Sequence, residues 1–307
     1  MNIKDEKLLM TEAATLYYKD KHTQQEIANI MGLSRQTVSK LLNDALKENI
    51  VEIKINNPKN DCENLQKSIC NTFGIKSCIV SSVSSNNEAL RKLMTITAAT
   101  KYITDIIIKG NNKIALSWGR TIQELITALP KINATGNIVF PLFGATDNVN
   151  SYFSSNELVR SLADKISAEA KYAWFPYLPD SAKDQSLLKN LSYYKKTEQL
   201  WSNADIAILG IGNSEMLNVF AKDFGYRENH YDIIGDIATH FFNQEGLFVD
   251  LYKNTLCASI SDIKKAKQTI AIAFGDNKAK AIAGALRTKI ISTLITDEYT
   301  ARKILEN

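Results

Sequence analysis

Residues 22–55 read HTQQEIANIMGLSRQTVSKLLNDALKENIVEIKI, and the order of signals in this run is that of two short helices joined by a tight turn. Thr23 and Glu26 have the T-x-x-E spacing in which a hydroxyl and a carboxylate cap a helix start reciprocally. Ile27, Ile30 and Met31 then supply an apolar face. Gly32 falls where the first helix must stop and the chain turn sharply, a place that favours positive φ. Ser34 is positioned to cap the next helix. On that second helix Val38, Leu41, Leu42 and Ala45 share one face by helical spacing. Arg35, Gln36, Ser39, Lys40 and Asn43 share the other, with Thr37 near the boundary. One face anchors to a small bundle while the other offers donors and acceptors near the helix start, as a helix entering the DNA major groove must. Arg35 can pair with guanine O6/N7 and Gln36 with adenine N6/N7, while Thr37, Ser39 and Lys40 suit phosphates or base edges. On spacing alone an amphipathic helix pair with a solvated polar face fits equally well.

Working outward, residues 1–50 read as helical throughout, and VEIKI (51–55) alternates apolar and charged residues as a half-buried strand does. That strand would be the wing of a winged helix. NNPKND (56–61) stops regular structure and reads as a linker. The predicted domains are therefore 1–56 and 57–307, within what a 307-residue chain can hold. Residues 1–60 carry nine Lys/Arg against eight Asp/Glu, and the whole chain has a formal net charge of +4. Any nucleic-acid contact must then come from where charges sit, not from their sum.

Past the linker, the polar-faced helix at 62–73 leads into alternating strands and helices. Strands are expected at 75–80, 113–118, 137–143, 170–178, 204–212, 268–274 and 290–297. Helices are expected at 87–109, 121–129, 156–168, 182–203, 277–288 and 297–305. Pro141 places its strand near a sheet edge or makes its pairing irregular. The alternation predicts an α/β fold, a doubly wound, mainly parallel sheet covered by helices. Cys62, Cys70, Cys78 and Cys257 have neither CxxC spacing nor a histidine cluster, so they read as scattered core thiols, and no metal or cofactor is expected. The charged N-terminus has no apolar signal region, and no apolar run reaches membrane-spanning length. A cytoplasmic protein is the expectation.

Residues 14–55 closely resemble the DNA-binding region of SorC/DeoR-type sugar-responsive regulators. There a tyrosine pair (here Tyr17, Tyr18) precedes a TQQEIA-type helix, a GLSRxTVS-type recognition helix and an IVEI wing. The resemblance implies DNA contacts from Thr23, Gln24, Ser34, Arg35, Gln36, Thr37, Ser39 and Lys40. It implies a sugar-binding domain over the rest, with a Rossmann-like fold similar to sugar-phosphate isomerases.

Four segments carry that looser resemblance. ALSWGRTIQEL (115–125) runs from strand to glycine turn to helix, so Gly119, Arg120 and Thr121 are candidates for an anion cradle at a helix start. An ordinary capped turn reads the same. PLFGATDN (141–148) puts Gly144, Asp147 and Asn148 after a strand, as sugar-hydroxyl partners or plain turn formers. Some relatives resemble aldolases in carrying a lysine just before this glycine; here Phe143 stands there, which argues against a Schiff base. DIAILGIGNSEMLNVF (205–220) is similar to the LGIG-x-DGH loop of amino-sugar-phosphate isomerases, but Asn213, Ser214, Glu215 and Met216 replace its proton-transfer set. AIAFGDNKAKAIAGAL (271–286) places Lys278 near a helix start, and the resemblance implies a phosphate contact. Asp236 in GDIATHFF (235–242) matches a further family element and is a candidate for a sugar hydroxyl. His240 beside it reads as structural.

The expectation is a DNA-binding regulator of a carbohydrate operon, a repressor or activator. It would be controlled by a small, phosphorylated sugar and work as a homodimer or homotetramer on double-stranded operator DNA. A sugar-phosphate isomerase or deaminase with an appended DNA-binding module is the alternative. A DNA-binding scaffold whose α/β domain only oligomerises is a third.

Overall fold

A computed structural model describes residues 3–53, 62–146, 154–214, 232–251 and 254–307. The chain divides into two units, residues 1–58 and 59–307.

In the first unit α1 (Ile3–Ala14), a π-helical turn (Thr15–Lys19), α2 (Gln24–Met31) and α3 (Arg35–Lys47) enclose one apolar cluster. Met10, Ala13, Ala14, Ile27, Ala28, Val38, Leu41, Leu42 and Ala45 form it. Full burial of a large aliphatic side chain stabilises by roughly 1.5–3 kcal/mol, so the stripe that faces inward decides the fold of so short a segment. Both ends of the turn are set as expected. The Glu26 N–H donates to Thr23 Oγ1 at 3.3 Å and the Thr23 N–H to Glu26 Oε2 at 2.7 Å. Gly32 closes α2 at φ 66°, and Ser34 Oγ accepts from the Thr37 N–H at 3.1 Å.

The expected wing strand at 51–55 does not form over residues 51–53; residues 54 and 55 lie outside the described set. Asn49 turns at φ 57°, and the N–H groups of Ile50 and Val51 both donate to the Ala45 carbonyl. The end of α3 thus uses the donors a strand would offer, and Ile50 and Val51 pack against the helical cluster instead.

The second unit begins with α4 (Cys62–Phe73) and β1 (Ser77–Ser81), then α5 (Glu88–Ile107), β2 (Lys113–Leu116), α6 (Arg120–Ala128) and β3 (Ile138–Pro141). It continues with α7 (Ser155–Ile166), β4 (Glu169–Ala170), α8 (Ala182–Asn190), α9 (Ser192–Ser202) and β5 (Ile206–Asn213). After β6 (Ile233–Ile237), β7 (His240–Asn243) and β8 (Phe248–Val249) come α10 (Ile260–Lys265) and β9 (Gln268–Ile272). A 3-10 turn (Asp276–Lys278), α11 (Ala279–Arg287), β10 (Thr293–Asp297) and α12 (Glu298–Leu305) end the chain.

The main sheet runs β1-β10-β9-β5-β2-β3-β4, and every pair along it is parallel. Its central strands are apolar on both faces, as helices on either side require: Ile206–Leu209 and Ile270–Ala273 are all buried. β3 lies next to the edge, flanked on its outer side only by the two-residue β4.

Three expectations change. The single helix at 182–203 breaks at Leu191, which is extended (φ −67°, ψ 139°). α8 buries none of its residues whereas α9 buries Tyr194, Thr197 and Trp201, so one straight helix could not serve both. The extended run at 170–178 pairs as a strand only through residue 170, after which Ala145 bridges Pro176. Thirdly, β5 does not end at its glycines. It runs on to Asn213 and pairs antiparallel with β6, and the hairpin β6–β7–β8 extends the sheet there. Ala238 and Thr239 turn that hairpin with positive φ at both central positions, a two-residue turn matched to strand twist.

Candidate effector and nucleic-acid sites

The polar face of α3 points away from the helical cluster. Arg35, Gln36, Thr37, Lys40 and Asn43 are exposed and Ser39 is half-buried, while Val38, Leu41, Leu42 and Ala45 are buried. Thr23, Gln24 and Arg35 share a shallow depression with Tyr17, Tyr18, Lys21 and His22. The two tyrosine rings meet edge to face at 5.0 Å. Arg35 at the start of α3 and Gln24 at the start of α2 therefore border one surface. Lys21 and His22, which precede the capping box, border the same depression, and a helix start attracts anions.

In the second unit a cavity of about 420 Å³ opens where β2, β5 and β9 end. That edge is where open α/β sheets bind ligands, and the volume suits a small molecule. Two lips are built alike. Gly119 (φ 112°) precedes α6, with Arg120 and Thr121 in its first turn; Gly275 (φ 110°) precedes the 3-10 turn that carries Lys278 into α11. All five residues line the cavity, together with Asp236. Helix starts with a cation at each lip favour a negatively charged group.

Asp236 sits on β6 opposite Gly212 of β5, which is why it reaches this cavity. It is 4% exposed. Burial pushes its carboxyl up to about 6, against the pull of the Thr239 N–H at 3.4 Å, Lys278 and His240. A carboxylate so placed is suited to accept from a ligand hydroxyl. Lys278 Nζ donates to the Ile211 carbonyl at 3.1 Å, which points the side chain along the cavity wall. At the outer rim Lys92 of α5 and Glu124 of α6 pair at 2.6 Å.

Of the predicted effector residues, Gly119, Arg120, Thr121, Asp236 and Lys278 come together. Gly144 does not join them. It is buried, its N–H donates to the Leu256 carbonyl, and a β-carbon there would lie 2.6 Å from the Pro176 backbone. Its smallness serves a close backbone approach rather than a ligand. Asp147 and Asn148 lie outside the described residues, as do Glu215 and Met216.

Sequence reasoning missed Trp118, Asn213 and Asn277 as lining residues. Asn213 was visible at the end of the ADIAILGIG run, but the extension of β5 that aims it was not. His240 faces a separate cavity of about 40 Å³ with Cys257, and its Nε2 lies 2.8 Å from the Ala258 carbonyl. Burial pushes the His240 imidazole down, but Cys257, the Ala258 carbonyl and Asp236 outweigh it and leave the ring more basic than usual. Among the described residues no group of three or more His, Cys, Asp or Glu could hold a metal ion, and no helix is long and apolar enough to cross a membrane.

Comparison with known proteins gives a match for each unit. Residues 57–306 match the family described as "Putative sugar-binding domain", and residues 13–48 match sigma-70 region 4. The sorbitol operon regulator of Klebsiella pneumoniae is 28% identical over the full length of both chains. The crystal structure of the full-length protein superposes with a TM-score of 0.77 over 97% of this chain and 98% of that one. The deoxyribonucleoside regulator of Bacillus subtilis (strain 168) is 26% identical over 99% of both.

Proposed function

This chain belongs to the SorC/DeoR-type family of sugar-responsive transcriptional regulators, and from that premise we propose that its cavity binds a phosphorylated sugar whose occupancy sets the affinity of α3 for operator DNA. The observation that carries the reading is the pairing of opposite chemistries around one cavity: Arg120 and Lys278 at two helix starts, and the buried Asp236 carboxylate. The cations suit a phosphate and the carboxylate a hydroxyl, so one sugar phosphate can satisfy both. A neutral sugar would offer the two helix starts no anion.

On the DNA side, Arg35 and Gln36 read base edges, and Thr23, Gln24, Ser34, Thr37, Ser39 and Lys40 hold phosphates or neighbouring edges. A cytoplasmic homodimer or homotetramer would present two such helices to a palindrome whose half-sites lie about one helical turn, roughly 34–36 Å, apart. Ligand then acts by favouring the assembly whose spacing fits the operator, or the one whose spacing does not.

Fluorescence anisotropy on the DNA upstream of its own gene, titrated with sugars and sugar phosphates at fixed salt, tests this. One phosphorylated compound should shift the DNA affinity, and its unphosphorylated parent should not. Specific DNA binding indifferent to every compound would overturn the effector reading. Failure to prefer promoter over scrambled DNA would overturn the regulator reading.

A second reading has one observation in its favour. A carboxyl pushed up to about 6 inside a cavity is what a general acid–base catalyst needs. The sequence Asn213-Ser214-Glu215-Met216 lacks the Asp-Gly-His of the isomerases it resembles. Turnover of aldose or ketose phosphates would nonetheless establish an enzyme.

A further inference from the structure

Lys278 can meet a ligand only if the turn that carries it is held still, and what holds that turn lies outside the cavity. Arg91, in the first turn of α5, is 5% exposed and is not among the cavity's lining residues. Its Nε donates to Asp297 Oδ1 at 2.9 Å, its Nη2 reaches Asp276 Oδ1 at 2.7 Å and Thr300 Oγ1 at 2.9 Å, and its Nη1 donates to Asn86 Oδ1 at 2.7 Å. The Tyr299 ring lies 5.4 Å from the guanidinium carbon. Asp297 is wholly buried and also caps α12, accepting from the N–H groups of Tyr299 and Thr300.

Two of these contacts end on the Lys278 turn. Asp276 is its first residue, and its other oxygen pairs with Lys303 at 2.6 Å. Thr300 Oγ1, which Arg91 fixes, accepts from the Gly275 N–H at 2.9 Å. Gly275 in turn accepts from the Lys278 N–H at 3.0 Å. Asp276 therefore faces the network while Gly275, Asn277 and Lys278 face the cavity.

We propose that Arg91 is the positioning residue of the effector site. Through Asp276 and Thr300 it sets the Gly275–Lys278 turn, and with it the place of the Lys278 ammonium. The planar fork is what the arrangement needs, since one guanidinium must satisfy four acceptors in fixed directions. A lysine would keep the charge and lose the geometry. The neighbouring residues Glu88 and Lys92 line the cavity itself, so α5 touches the site directly on one side and steadies it on the other. The inference rests on reading this cavity as the effector site, although its first test does not need a ligand.

Hydrogen exchange on the full chain compares wild type, Arg91→Lys and Asp276→Asn. Asp276→Asn touches only the half-exposed end of the network and leaves the Arg91–Asp297 pair in place. Both variants should speed exchange in peptides covering residues 274–280 by about tenfold or more, while peptides over β2 and α6 stay unchanged. Glucose 6-phosphate and inorganic phosphate, titrated calorimetrically, should bind each variant about tenfold more weakly than wild type. Lysine at position 91 should not restore binding, although it restores the charge. Unchanged exchange at 274–280 in both variants would overturn the proposal. Full phosphate affinity in Arg91→Lys would overturn it too. If exchange quickens as expected but wild type binds neither probe, the role of Arg91 in holding the turn stands and the phosphate reading of the cavity falls.

Discussion

The two units present their functional groups in opposite ways. The helical unit displays its polar residues outward from one unbroken run, residues 23–43, and most of the side chains behind them, Ile27, Ala28, Val38, Leu41 and Leu42, lie in the same run. The α/β unit gathers its groups inward, from the starts of α5, α6 and α11 and the ends of β5 and β6. A surface reader needs only a rigid helix with the right face out. A cavity needs segments more than a hundred residues apart to agree in position, and here it buries a carboxylate, Asp236, among them. The first should therefore tolerate substitution with local losses, whereas changes in the second should alter stability and binding together.

The largest effect expected from this contrast is at Lys278. Lys278→Ala removes a cation from one lip and should weaken sugar-phosphate binding by about 100-fold, the upper range for a hydrogen bond to a charged group. Calorimetric titration with the compound found by the anisotropy screen measures it. DNA affinity without ligand should not move. If it does, the two surfaces are not separable and the contrast breaks.

Next comes Asp236, where function and stability should oppose each other. Burial pushes its carboxyl up to about 6, so the folded state holds this proton more tightly than the unfolded chain does. The stability this lends is full below about pH 4 and is lost as pH rises through about 6. Asp236→Asn should therefore be more stable than wild type by roughly 2–3 kcal/mol at pH 7, with the difference vanishing near pH 4. It should also lose the sugar response. Denaturant midpoints at the two pH values test the first point. A variant less stable than wild type at pH 7 would mean that Lys278 compensates the buried charge in full.

On the outward surface the expected losses are smaller. Arg35→Ala should cost about 1–3 kcal/mol in operator affinity and relax preference at one base position. Sugar-phosphate affinity should be unaffected. Equal binding of promoter and scrambled DNA both before and after the change would remove Arg35 from base recognition.

The same contrast explains what could be read from the sequence. In the helical unit, period, cap and turn residue lie within a few positions of one another. Thr23, Gly32, Ser34 and the stripe from Val38 to Ala45 could thus be assigned without tertiary information. The wing strand does not form over 51–53, which alternates like a strand, because the Val51 N–H, with that of Ile50, is already committed to the Ala45 carbonyl. Most strands and helices of the sheet were visible for the same local reason, as were the glycine–helix lips at Gly119 and Gly275. What was hidden depends on contacts between distant segments. Gly144 looked like Gly119 in sequence, yet one meets the Pro176 backbone and the other has open space around it. Arg91 carries no local signal in the sequence, since only the fold brings Asp276, Asp297 and Thr300 to it.

The smallest effect sharpens the comparison most cleanly, because it separates the two uses of glycine. Gly32 closes α2 at φ 66°, and a β-carbon there would meet nothing within 4 Å. Gly32→Ala should therefore cost only the strain of a left-handed alanine, about 1 kcal/mol. The loss should fall on the stability of the first unit and, through the angle between α2 and α3, on DNA affinity. Gly32→Asn should recover part of it, since asparagine tolerates this backbone better than alanine. At Gly144 the backbone of Pro176 stands in the way, so no choice of side chain can relieve a substitution. If Gly32→Asn proves no better than Gly32→Ala in thermal unfolding, space rather than backbone angle governs the turn, and the helical unit is packed more like the cavity than its open polar face implies.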